Sequence, residues 1–70
     1  MKPLSAKKLI KILEQNGFIL LRQKGSHMIW SNSESRATVL IASYGGTKPL
    51  PIGTFLAIVK QTKLPKNLFH

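Results

Sequence analysis

The chain has 70 residues, no cysteine and a formal net charge of +9, from 11 basic and 2 acidic side chains. This length predicts a single domain over residues 1–70 with a small core, because a chain of about 60 residues buries only about 60% of its unfolded surface. The composition excludes disulfides and thiolate metal sites, and no apolar run approaches the roughly 20 residues of a membrane span. The charge predicts an anionic partner, with nucleic acid favoured over a membrane, and we expect a cytoplasmic protein.

The first predicted element is a helix over residues 5–16. Its apolar positions recur at the spacing of one buried stripe, Ala6, Leu9, Ile10 and Leu13. Ser5 is a suitable N-cap, and Asn16-Gly17 is a typical helix end. Lys7, Lys8 and Lys11 lie on the outer face, where they are either simply solvated or contact phosphates.

Three short strands follow, over residues 18–23, 27–30 and 36–42, each rich in β-branched or aromatic residues. Residues 24–26 predict a hairpin loop in which Gly25 takes a positive φ, and residues 31–35 predict a polar turn. Connections this short between neighbouring strands indicate an antiparallel meander.

A second helix is predicted over residues 52–62, and a last turn begins near Pro65. The apolar stripe of this helix is predicted to be Ile52, Phe55, Leu56 and Val59. The sequence therefore predicts an α+β fold of order α-β-β-β-α, in which two helices cover one face of a three-stranded antiparallel sheet.

The chain has few residues capable of chemistry. Its only carboxylate side chains are Glu14 and Glu34, and no cluster of metal-ligand residues is present in the sequence. Any catalysis is therefore expected to need neither metal nor cofactor. RNA cleavage fits, because RNA supplies its own 2′-OH nucleophile and the protein need only move protons and stabilise charge. His27 would be the general acid or base, with Arg22 or Lys24 at the phosphate; alternatively, His27 is a structural histidine at a strand start.

Several segments of the chain resemble the HicA toxin family of bacterial and archaeal toxin–antitoxin systems. They are the Lys-Leu-Ile-Lys-Ile-Leu pattern of the first helix, Asn16-Gly17-Phe18, the block Arg22-Gln23-Lys24-Gly25-Ser26-His27 and the opening Pro51-Ile52-Gly53-Thr54-Phe55 of the second helix. The resemblance implies a fold like that of the double-stranded RNA-binding domain. It also implies a ribosome-independent mRNA endoribonuclease with His27 as its catalytic residue, and a HicB-type antitoxin that covers the active site.

One departure from the family concerns the end of the third strand. Relatives often carry a Pro-His segment there, whereas this chain has Ile41-Ala42-Ser43-Tyr44. A second proton carrier would then be Lys24, a hydroxyl group or water.

The candidate RNA-binding residues are Lys7, Lys8, Lys11, Arg22, Lys24, Gly25 and Ser26. Gly25 is equally compatible with an ordinary hairpin turn, and for Ser26 a role in capping the turn is slightly favoured over a hydrogen bond to phosphate. Trp30 and Tyr44 could stack on bases, although an alternating strand favours a core position for Trp30. DNA is expected to resist cleavage because it lacks the 2′-OH.

The sequence is also compatible with two other functions. The chain could be a non-catalytic RNA-binding module of the same fold, or an interaction protein that has lost activity. A protein that binds double-stranded RNA usually has a basic cluster at the start of its second helix. Here only Lys48 is near that point, which counts against the binding module.

Overall fold

The secondary structure follows the order that the apolar periodicities predict. The computed structural model describes residues 2–42 and 46–70. Within these ranges the elements are helix α1 (Ala6–Gln15), strands β1 (Ile19–Lys24), β2 (His27–Asn32) and β3 (Ala37–Ala42), helix α2 (Ile52–Thr62) and a short 3-10 helix (Lys66–Leu68). The predicted α+β fold of order α-β-β-β-α is confirmed.

Helix α1 is capped at both ends by polar side chains. The Oγ of Ser5, the N-cap, accepts a hydrogen bond from the backbone N–H of Lys8 at 3.2 Å. At the other end, the side-chain amide of Asn16 donates a hydrogen bond to the carbonyl of Ile12 at 2.7 Å. Gly17 then takes a φ of +87°, a conformation that glycine adopts without a side-chain penalty. The sequence prediction for this helix differs from the structure only in counting the two caps as helical.

The three strands form one antiparallel sheet in the order β1-β2-β3. β2 is central, so His27 has a strand neighbour on each side, Lys24 on β1 and Ala42 on β3. The pairing of β1 with β2 shifts between Leu20 and Arg22, an irregularity of the kind that bends an edge strand.

The connection between β2 and β3 is shorter than the composition predicts. Ser31 and Asn32 continue β2 instead of turning, and β3 begins at Ala37 because Arg36 takes a left-handed φ of +59°. The cause is the Asn32 side chain, which is only 7% exposed. Its Nδ2 donates to the carbonyl of Asn16 at 2.9 Å, while its Oδ1 accepts the backbone N–H groups of Glu34 and Ser35 at 2.9 and 3.3 Å. One buried amide thus joins the end of α1 to the β2–β3 loop.

We expect Asn32→Ala to lower the free energy of unfolding by about 2–3 kcal/mol, because it removes three part-buried hydrogen bonds from the buried Asn32 amide to the backbone. In a domain of this size that corresponds to a fall of roughly 10–15 °C in the thermal midpoint. Asn67→Ala is the matched control, since Asn67 is exposed and should change stability by no more than about 0.5 kcal/mol. Equal midpoints for the two variants would contradict the structural role of Asn32.

Both helices cover the same face of the sheet. The core cluster combines Met28, Trp30, Val39 and Ile41 from β2 and β3 with Leu9 and Leu13 from α1 and Phe55, Ile58 and Val59 from α2. Phe69 closes the cluster, with its ring edge-to-face against Phe55 at a centroid distance of 6.4 Å. The opposite face of the sheet carries no helix within the described ranges. Among the described residues, no helix is long and apolar enough to cross a bilayer.

Helix α2 is rotated relative to the predicted stripe. Ile52 and Leu56 are 50% and 45% exposed, whereas Ile58 and Thr62 are buried beside Phe55 and Val59. The prediction was wrong because apolar residues surround most of this helix, so their spacing alone does not choose the inner face. Thr62 is tolerated in the core because its hydroxyl donates to the carbonyl of Val59 at 2.6 Å.

Candidate nucleic-acid interface

A tight hairpin presents His27. Lys24 and His27 are cross-strand partners, so Gly25 and Ser26 form a two-residue loop. Gly25 takes a φ of +60°, and a positive φ at only the first central residue fits a type II′ turn, which requires glycine there. The Gln23 side chain donates to the carbonyl of Gly25 at 3.2 Å. The sequence predicted the loop over residues 24–26, but Lys24 pairs with His27 as the last residue of β1, so the loop is one residue shorter than predicted. The positive φ predicted at Gly25 is confirmed.

Alternation along β2 aims His27 away from the core. Met28 and Trp30 are buried, whereas His27 is exposed and Ile29 is half-buried. Since successive side chains of a strand point to opposite faces, His27 and Ile29 share the face that none of the described helices covers. We call this the open face.

The open face contains a shallow depression around His27. Its volume is about 210 Å³, and it is lined by Arg22, Lys24, His27, Ile29 and Leu40. Lys24 is directly opposite His27, and Arg22 is opposite Ile29. Directly opposite residues have Cβ atoms about 5 Å apart, and diagonal neighbours about 7–8 Å. Both cations therefore lie within side-chain reach of the imidazole.

The chemistry available here is proton transfer beside positive charge. An imidazole exchanges protons near neutral pH, and two cations next to it attract an anion. No carboxylate lines the depression, so nothing in its wall offsets the positive charge. Elsewhere in the described ranges, no three side chains of His, Asp or Glu come together as a group that could hold a metal.

The predicted RNA-binding residues divide between two layers. Arg22 and Lys24 line the depression, and Gly25 and Ser26 form the turn at its end. Lys7, Lys8 and Lys11 are exposed on α1, on the side opposite the buried Leu9 and Leu13. Because α1 covers the other face of the sheet, these lysines do not join the group around His27.

Of the two residues predicted as candidates for stacking on bases, Trp30 and Tyr44, the structure describes only Trp30. Trp30 is 5% exposed and belongs to the core, as alternation along the strand favours. Its Nε1 is buried with no hydrogen-bond partner among the described residues. Tyr44 lies outside the described ranges.

The two apolar residues that line the depression, Ile29 and Leu40, were not predicted from the sequence. Ile29 and Leu40 are cross-strand partners, and Leu40 is 53% exposed. They form the apolar part of its lining. The alternation of β2 and β3 contains the signal, because both residues are out of phase with the buried positions Met28 and Ile41.

Comparison with known proteins identifies the family of the chain. Residues 6–64 match the family model for the HicA toxin of bacterial toxin–antitoxin systems. The matched range includes both helices, all three strands and every residue that lines the depression. No curated protein matches the chain.

Proposed function

Since the chain belongs to the HicA toxin family, we propose that it is the toxin of a type II toxin–antitoxin system and acts as a metal-independent mRNA endoribonuclease. The observation that carries this proposal is the depression on the open face. It combines a solvent-accessible imidazole with two cations and has no acidic residue in its lining. A phosphodiester needs this combination of a proton carrier and positive charge when the nucleophile is already in the substrate.

The proposed reaction is transesterification within the RNA. The 2′-oxygen attacks the adjacent phosphorus while the bond from phosphorus to the 5′-oxygen breaks. The products are a 2′,3′-cyclic phosphate and a 5′-hydroxyl. His27 acts as the general acid or base, taking the proton of the 2′-OH or supplying one to the leaving 5′-oxygen. Water, a hydroxyl group or Lys24 completes the other transfer, so no net proton or electron is consumed.

Arg22 and Lys24 are proposed to bind the reacting phosphate and the negative charge that develops on it. Lys24 is the direct neighbour of His27 across the hairpin, and Arg22 lies two residues from Lys24 along β1, on the same face. Arginine suits this role because its planar fork can donate two parallel hydrogen bonds to a phosphate. Ile29 and Leu40 contact the sugar or the base beside that phosphate.

The helix α1 lysines have a secondary role in this proposal. Lys7, Lys8 and Lys11 face away from the depression, so they contact only a strand that continues around the edge of the sheet. Gly25 and Ser26 keep the turn low, which lets the RNA backbone approach His27.

The partners follow from the family and from the charge. The proposed target is mRNA in the cytoplasm. The proposed inhibitor is a HicB-type antitoxin that covers His27 and Lys24, so that antitoxin binding and RNA cleavage exclude each other. With a net charge of +9 on the toxin, an acidic inhibitor surface speeds association because opposite potentials steer the encounter.

The test is to incubate the purified protein with a single-stranded RNA and with DNA of the same sequence, both in the presence of EDTA. We expect cleavage of the RNA and none of the DNA, which lacks the 2′-OH. Loss of RNA cleavage in EDTA, or equal cleavage of DNA, would contradict the proposed chemistry.

A further inference from the structure

A second and larger depression lies in the helical layer, at the C-terminal end of α2. Its volume is about 620 Å³, and its lining consists of Leu56, Val59, Lys60, Lys63, Leu64 and Lys66. We call it the α2 groove. None of these residues lines the depression around His27, and α2 covers the opposite face of the sheet. The proposed RNA cleavage therefore leaves this surface unused.

The floor of the α2 groove is aliphatic and accessible. Leu56 is 45% exposed, Leu64 is half-buried, and Val59 forms the buried base. Ile52, one turn before Leu56 on the same side of the helix, is 50% exposed and extends the apolar surface. A concavity of this size lies in the range of about 300–1,000 Å³ that is typical of binding sites, so it has room for more than one aliphatic side chain.

The rim of the α2 groove is positively charged. Lys60, Lys63 and Lys66 surround the floor, and no acidic residue is in the lining. The Lys63 ammonium also donates a long, exposed hydrogen bond to the carbonyl of Ser35 at 3.4 Å. Lysines at a helix C-terminus offset the helix dipole, but that dipole amounts to only about half a negative charge. Three lysines leave a clear positive excess around an apolar floor.

We propose that the α2 groove binds an acidic, leucine-bearing amphipathic segment of a partner protein. Leucine side chains would contact Leu56 and Leu64, and carboxylates beside them would meet the three lysines. A second copy of this chain does not fit, because each chain has only 2 acidic side chains and a net charge of +9. RNA fits poorly, since the lining offers no aromatic ring on which a base could stack.

The test uses a short synthetic helical peptide with leucines on one side and glutamates on the other. Binding is followed by fluorescence anisotropy and by chemical-shift changes in the ¹⁵N-labelled protein. We expect saturable binding with shift changes at Leu56, Lys60, Lys63 and Leu64. A peptide of equal charge with alanine in place of leucine should bind about tenfold or more weakly, because aliphatic burial is lost. Equal affinity of the two peptides, or shift changes confined to the open face, would overturn the proposal.

Matched variants separate the α2 groove from general charge attraction. Leu56→Lys, and Lys60→Glu combined with Lys63→Glu, should each weaken peptide binding about tenfold or more while RNA cleavage persists. Lys7→Glu combined with Lys11→Glu makes the same charge change on α1 and should leave peptide binding within about twofold. If the α1 pair weakens binding as much as the α2 pair, the attraction is non-specific. If a single-stranded RNA causes the shift changes at the groove and the peptide does not, the occupant is nucleic acid and the proposal is wrong.

Discussion

Replacing His27 by alanine is expected to lower the rate of RNA cleavage by about 100-fold or more, the usual contribution of a general acid or base. The fold should persist, because His27 is exposed and belongs to none of the core contacts. A surface substitution of this kind changes the free energy of unfolding by no more than about 0.5 kcal/mol. Circular dichroism and the thermal midpoint check the fold, and single-turnover cleavage of a labelled RNA measures the rate.

His70→Ala is the control for this prediction. It removes the only other histidine, which is also exposed and lies outside the depression. We expect cleavage by this variant within about twofold of the unmodified protein, as for surface substitutions away from a site. Full activity of His27→Ala would show that His27 carries no proton in the reaction. Lost activity together with lost structure would assign His27 a structural role instead.

Reversing both cations of the depression should give the second large effect. Arg22→Glu combined with Lys24→Glu would remove the two proposed contacts to phosphate. Each is expected to contribute roughly tenfold in affinity, since a hydrogen bond to a charged group contributes about 1.5 kcal/mol or more. The plot of log affinity against log salt should also flatten by about 1.4, because each phosphate neutralised on a single strand contributes about 0.7 to the slope. Binding to a short RNA is measured at several salt concentrations, with the cleavage rate taken in parallel.

Two control pairs make this prediction specific. Lys60→Glu with Lys63→Glu makes the same change of charge in the helical layer, and Lys7→Glu with Lys8→Glu makes it on α1. Both should affect cleavage of a short RNA less than the Arg22 and Lys24 pair, because neither pair lines the depression. A stronger effect from the α2 pair would place the RNA on α2, and a stronger effect from the α1 pair would place it on α1.

The order of elements was predictable because the local signals agree with each other. Ser5, Gly17 and Gly25 mark boundaries through capping and positive φ, and the apolar spacing changes from helical to alternating between them. His27 could be placed at a strand start for the same reason. Its neighbour across the hairpin, Lys24, was predicted to lie in the loop, and only the strand pairing shows that Lys24 ends β1.

Other features depend on tertiary contacts that a sequence pattern does not contain. The end of β2 is set by Asn32, whose partner Asn16 is 16 residues away. The inner face of α2 was assigned wrongly, because Leu56 and Ile58 are equally apolar and only packing against the sheet distinguishes them. The separation of the α1 lysines from His27 also required knowing which face of the sheet the helices cover. The identity of His27 as the catalytic group remains a prediction.

The most direct test of the central claim uses an RNA in which the nucleotide before the cleaved bond carries a single 2′-deoxy substitution. Cleavage of this RNA and of the unmodified RNA is followed in EDTA, and the termini of the products are identified. We predict that the unmodified RNA is cut to a 2′,3′-cyclic phosphate and a 5′-hydroxyl. The bond next to the 2′-deoxy nucleotide should stay intact, and the His27→Ala variant should cut the unmodified RNA about 100-fold more slowly, or more slowly still. Cleavage of the substituted bond at the unmodified rate would contradict the account, because the nucleophile would then not be the 2′-OH.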